Sequence, residues 1–223
     1  MSDAEIDIPG FDLIGIRYEL SLLEEHLESV EKQVEAKREE SQQTMNQHLE
    51  LLDLDRGDPD FRAEYDIVRK RHRHRVDDLL PRIFVHPFVV ATWSTYQSGA
   101  KQMTSQFVDL LSIDRAFGDE DGNHFCARME RFLSGIDVEP GYSLDIKTGL
   151  HRLVEFRNAI AHDNAKVSGL SKFRKQVRDP DVEDVHYAQT GEYFALKVEF
   201  ATKAFKVAQS HLEYLMETYR EMK

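Results

Sequence analysis

Apolar residues Ile16, Leu20, Leu23, Leu27, Val30 and Val34 follow one another at alternating spacings of four and three. That spacing is the seam of a helix that buries one stripe against another helix. The pattern fades through Lys37 and Ser41, and the run Asp55-Arg56-Gly57-Asp58-Pro59-Asp60 has turn chemistry throughout. Beyond it Phe61, Tyr65, Val68, His72, Val76 and Leu79 resume a helical stripe. Residues 1–81 are therefore expected to form a long antiparallel helical hairpin of coiled-coil type, closing near Pro81.

The next stretch, residues 84–93, is apolar nearly all round, as a helix inside a bundle is, and it is expected to run on to about Leu111. A loop is predicted over residues 118–123, an amphipathic helix over 125–133 and a break at Pro140-Gly141. Ser143 has the chemistry of an N-cap for a helix that carries Ile146, Leu150, Leu153, Val154 and Ala161 and ends near His162-Asp163-Asn164. A polar, basic connection over residues 166–178 leads to two short β-prone runs around Thr190-Gly191, and residues 199–221 read as a closing helix. The expected fold is mainly α, with a helical bundle and small β-hairpin over residues 82–223 preceded by the hairpin of residues 1–81.

Composition agrees with helix: there are only six Pro and eleven Gly in 223 residues. The single cysteine, Cys126, excludes an intramolecular disulfide and suits a reducing compartment. The N-terminal segment lacks the pattern of a signal peptide and no apolar run approaches membrane-spanning length, so a soluble, cytoplasmic protein without a membrane role is expected. The net charge of -12 argues at first against a polyanionic partner. Its distribution removes the objection, because residues 1–60 hold 17 acidic and 5 basic side chains while the remainder holds 24 of each.

One segment carries chemistry. Phe156-Arg157-Asn158-Ala159-Ile160-Ala161-His162 places an Arg, an Asn and a His at the end of a predicted helix. Histidine titrates near neutrality and moves protons, and the Arg fork matches phosphate oxygens. Attack of a ribose 2′-OH on its adjacent phosphate needs both properties and no metal. The chain has no phosphate-cradling glycine loop, no metal-binding His pair on a helix and no nucleophile elbow, so no metal or cofactor is expected. Residues 147–178 add Lys147, Arg152, Arg157, Lys166, Lys172, Arg174, Lys175 and Arg178 against only Glu155 and Asp163, a flank suited to a phosphate backbone.

The string from Leu150 through His162 resembles the signature of the HEPN superfamily, in which an Arg, usually followed by a polar residue, is separated from a His by four to six residues at a helix end. The run from Phe88 through Ser98 looks like the early bundle helix of bacterial HEPN proteins, with Gln97 where an acidic residue often stands, and the resemblance covers about residues 82–222. It implies an endoribonuclease leaving a 2′,3′-cyclic phosphate and a 5′-hydroxyl, with Arg157, His162 and Asn158 catalytic and Arg152, Lys166, Lys172, Arg174 and Lys175 contacting RNA. It also implies a toxin or host-defence role and an antitoxin or other regulatory partner. Some toxin relatives carry a Tyr two positions after the motif His, where a partner enzyme modifies it. Asn164 stands there instead.

Helical geometry adds a constraint, since about 100° per residue sets Arg157 and His162 roughly 140° apart while Asn158 and His162 share a face. Either the last turn unwinds, or two protomers complete one site. The resemblance favours a homodimer with a composite site. The alternative function is an inactive module for RNA binding or coiled-coil assembly, which an uncovered seam over residues 16–34 would favour.

Other features read as structure. The basic run over residues 69–75 contacts either RNA or the acidic partner helix, and the acidity of residues 1–60 favours pairing within the protein or between subunits. His72 and His74 do not face one metal on a helix. Asp53, Asp55, Asp58 and Asp60 lack the spacing of a calcium loop. Trp93, Tyr96 and Phe107 are expected in the core.

Overall fold

The computed structural model describes residues 13–51, 58–120, 124–170, 184–188 and 191–223. Helix α1 spans Ile14–Leu51 and α2 Pro59–Arg73; a π-helical turn, His74–Leu79, joins α2 to α3, Leu80–Leu111. Helix α4 (Phe125–Ser134) and helix α5 (Leu144–Asp163) follow, then strands β1 (Val185–Tyr187) and β2 (Phe194–Leu196), and finally helix α6 (Val198–Met222). The chain is mainly helical with one small antiparallel sheet, in which Val185 faces Leu196 and Tyr187 faces Phe194.

The described residues gather into two compact units. One draws on residues 1–25, 91–154 and 204–223, the other on 26–90 and 155–203, so each combines segments from both sides of residue 81. In the first unit Trp93, Tyr96 and Phe107 are buried as expected, and Tyr96 and Trp93 meet Phe125 edge-on at 6.0 and 5.8 Å. A Cβ at Gly149 of α5 would come within 2.7 Å of Val207 of α6, so the absent side chain is what admits this close helix approach. Cys126 is buried and burial pushes its thiol up to about 12, which leaves it inert as a nucleophile.

In the second unit α1 and α2 pair antiparallel: Glu40 meets Arg75 at 3.2 Å, Ser41 meets His72 at 2.9 Å and His48 meets Glu64 at 3.2 Å. The fading of the α1 seam at Ser41 thus marks a part-buried polar pair inside the helix. The expected closure near Pro81 is absent, because the helix runs on from Pro59 to Leu111. A π turn explains the continuity. Leu80 N–H donates to the Arg75 carbonyl, five residues back, and the widened turn relieves the clash a proline ring makes with the carbonyl four residues before it. Asp78 in that turn is buried, with His74 Nδ1 at 2.8 Å and His186 of β1 at 3.5 Å.

Candidate active site

Helix α5 begins where expected, with Ser143 Oγ accepting from Ile146 N at 3.2 Å, which satisfies one of the free amides of the first turn. Leu150, Leu153, Phe156 and Ala159 are buried. In the second unit Phe156 sets its ring edge-on against Phe194 of β2 at 5.2 Å and Phe200 of α6 at 4.9 Å. These aromatic contacts anchor the last turns of α5 and leave the opposite face, with Asn158 and His162, exposed.

The helix stops because Asn164 and Ala165 both adopt left-handed backbone, φ 51° and 59°. Ala165 N then donates to Ala159 O at 2.9 Å, while its own carbonyl accepts from Phe194 N at 3.0 Å and Val167 N donates to Glu192 O at 2.9 Å. The end of α5 is therefore stitched to the β-hairpin. A backbone held this way presents His162 from a rigid turn.

Arg157 is half-buried; its Nη1 donates to Asn158 Oδ1 at 2.9 Å and its Nε is shielded from solvent without a partner. Asn158 thus orients the arginine and is itself exposed. His162 is exposed and no described residue bonds its ring. Helix α5 remains α-helical through Asp163, so the last turn does not unwind and the phase of roughly 140° between Arg157 and His162 persists.

Of the basic flank, Arg152 lies half-buried in α5, Lys147 is held by Glu130 at 2.8 Å, and Lys166 is exposed just after the helix, bridging by backbone to Tyr193. Lys172, Arg174, Lys175 and Arg178 lie outside the described residues. The run over residues 69–75 forms the pairing expected within the chain only in part. Arg75 meets Glu40, whereas Arg69, Lys70, Arg71 and Arg73 form no ion pair among the described residues.

One cation beside the motif had no signal in the sequence. Arg82 of α3 donates from Nη2 to Asn164 Oδ1 at 3.3 Å and lies 5.2 Å from the centre of the Tyr193 ring. It stands at a cleft of about 640 Å³ lined by Leu79, Ile83, Pro87, Val90 and Ile160. Buried His86 also reaches this cleft; its Nε2 accepts from Leu196 N at 3.3 Å, and burial, helped by the charge of Arg82, lowers its pKa to about 3. His86 is neutral and serves as an acceptor. Arg82 is 75 residues from the nearest motif position and only the tertiary fold makes them neighbours.

The chain matches no protein-family model, no curated protein and no solved structure. Among the described residues no helix is long and apolar enough to cross a membrane.

Proposed function

We propose that this protein is a metal-independent endoribonuclease of the HEPN type, acting as a homodimer on RNA. The observation that carries the reading is the exposed pair Asn158 and His162, four residues apart on one face of a firmly anchored helix end, with Arg157 beside them holding unused donors.

In the proposed reaction a ribose 2′-oxygen forms a bond to the adjacent phosphorus while the bond from phosphorus to the 5′-oxygen breaks. One proton leaves the 2′-hydroxyl and another reaches the departing 5′-oxygen, leaving a 2′,3′-cyclic phosphate and a 5′-hydroxyl. His162 moves the protons, and two copies at a dimer site divide the base and acid roles. Arg157, steadied by Asn158, meets the charge building on the phosphate oxygens. Arg152 and Lys166 add positive charge along the same helix and its exit, with Lys172, Arg174 and Lys175 in the following connection. The function fits a toxin or host-defence effector held in check by a regulatory partner.

The assembly alternative has less support, since Ile16, Leu20, Leu23, Leu27, Val30 and Val34 are all buried within the chain and offer no open seam. The test is incubation of purified protein with structured and unstructured RNA in EDTA, with end-group analysis for the cyclic phosphate. Cleavage that disappears in Arg157→Ala and His162→Ala is expected. Cleavage that persists in both variants sinks the site.

A further inference from the structure

The basic run was open to two readings, pairing with acidic groups or contact with RNA, and within the chain the pairing is only partial. In a chain of net charge -12, seven consecutive residues from position 69 are Arg, Lys or His. The acidic helix α1 lies against α2, yet it neutralises only Arg75 of the arginines and lysine in that run. Arg69, Lys70 and Arg73 are exposed, as is Arg62 about two to three turns earlier. The nearby carboxylates on α2 do not pair with them: Glu64 is engaged by His48, and Asp66, one turn before Arg69 and Lys70, makes no ion pair among the described residues. Like charges crowded at this spacing repel, so the stripe costs stability in the free protein.

The same ridge carries aromatic rings. Phe61 and Tyr65, half-buried, stack with centroids 6.2 Å apart and planes at 23°. Phe61, Tyr65, Arg69 and Arg73 stand at successive intervals of four, one ridge of the helix surface. Unpaired arginines track a phosphate backbone and bind its oxygens in pairs, while half-open rings accept unpaired bases by stacking. The charge alone would also suit an acidic peptide or an anionic lipid surface; rings stacked in line with the arginines favour a strand with unpaired bases.

We infer that the exposed ridge of α2, built from Phe61, Arg62, Tyr65, Arg69, Lys70 and Arg73, binds single-stranded RNA along its backbone without reading its sequence. The choice of RNA among polyanions rests on the ribonuclease reading. The ridge and the motif belong to the same compact unit.

The experiment uses the full chain carrying His162→Ala and a short fluorescent single-stranded oligoribonucleotide, with anisotropy followed across a salt series. The combined substitutions Arg62→Gln, Arg69→Gln, Lys70→Gln and Arg73→Gln are all on exposed side chains and leave the helix content intact by circular dichroism. They are expected to lower the slope of log affinity against log salt by about 3, at roughly 0.7 per phosphate contact for single strands, and to weaken binding about tenfold or more. Phe61→Leu keeps the apolar packing and removes the ring; it is expected to weaken single-strand binding more than duplex binding. An unchanged slope and affinity in the combined variant overturns the inference, as does a parent chain that binds anionic vesicles but not the oligoribonucleotide. The two readings separate cleanly. Cleavage lost with Arg157 and His162 but untouched by the ridge substitutions leaves the ribonuclease and removes the ridge; binding through the ridge without any cleavage does the reverse.

Discussion

His211 and His162 show how one residue type is put to opposite uses in the two compact units. His211 is fully buried in the first unit with both ring nitrogens occupied. Its Nε2 lies 2.9 Å from the Pro140 carbonyl, which only accepts, so this nitrogen carries the proton and Nδ1 accepts from the Tyr96 hydroxyl at 2.9 Å. Tyr142 stacks on the ring at 4.5 Å. Nothing is left for a substrate, and burial lowers the pKa to about 4. His162 in the second unit is exposed at a helix end with no described partner. A satisfied histidine holds structure together; an unsatisfied one on a rigid turn is available for chemistry.

The largest expected effect breaks the comparison at His162. Its replacement by Ala is expected to lower RNA cleavage by about 10²–10⁴-fold, the usual contribution of a general acid or base, with the urea midpoint unmoved. His211→Ala is expected to do the reverse. It opens a cavity and strands the Tyr96 hydroxyl and Pro140 carbonyl, a cost of about 3 kcal/mol by urea denaturation. Cleavage per folded molecule should stay at the parent level, and a fall as deep as that of His162→Ala would refute the division.

A pH titration of stability sharpens the same contrast. The folded pKa values of His211 and His86 lie below the ordinary value of 6.5, so the folded chain resists protons that the unfolded chain takes up. Stability is complete above the unfolded value and is lost as pH falls toward the folded ones. At pH 5 each histidine is expected to remove about 2 kcal/mol, read from urea midpoints. In His211→Gln the acid loss should shrink by one histidine's share; an unchanged profile would show that His211 does not cause it. The smallest effect is at the start of the motif helix, where Ser143→Ala should cost about 1 kcal/mol through loss of the cap.

Local features of the fold were legible because short-range rules govern them. The cap at Ser143, the end of α5 at Asp163, the hairpin around Gly191 and the burial of Trp93, Tyr96 and Phe107 follow from side-chain chemistry and periodicity within a few residues. Pro81 misled for the same reason. A proline read locally ends a helix, and only a π turn before it, whose Asp78 contacts β1, shows how the helix continues. The pairing expected of the basic run formed within the chain only in part, because charge balance gives the sum of possible partners and not their reach: Glu40 reaches Arg75, and no described carboxylate reaches Arg69 or Arg73.

For the candidate site the division is similar. The order of residues set the identity of Arg157, Asn158 and His162, their place at a helix end and the angle between them, all consequences of covalent connectivity and helical pitch. Tertiary packing alone decided that Arg82 arrives beside Asn164 and that the backbone after α5 bonds to β2. Those outcomes depend on which distant surfaces meet, such as Phe156 against Phe194 and Ala165 against β2, and no local pattern in a chain encodes them.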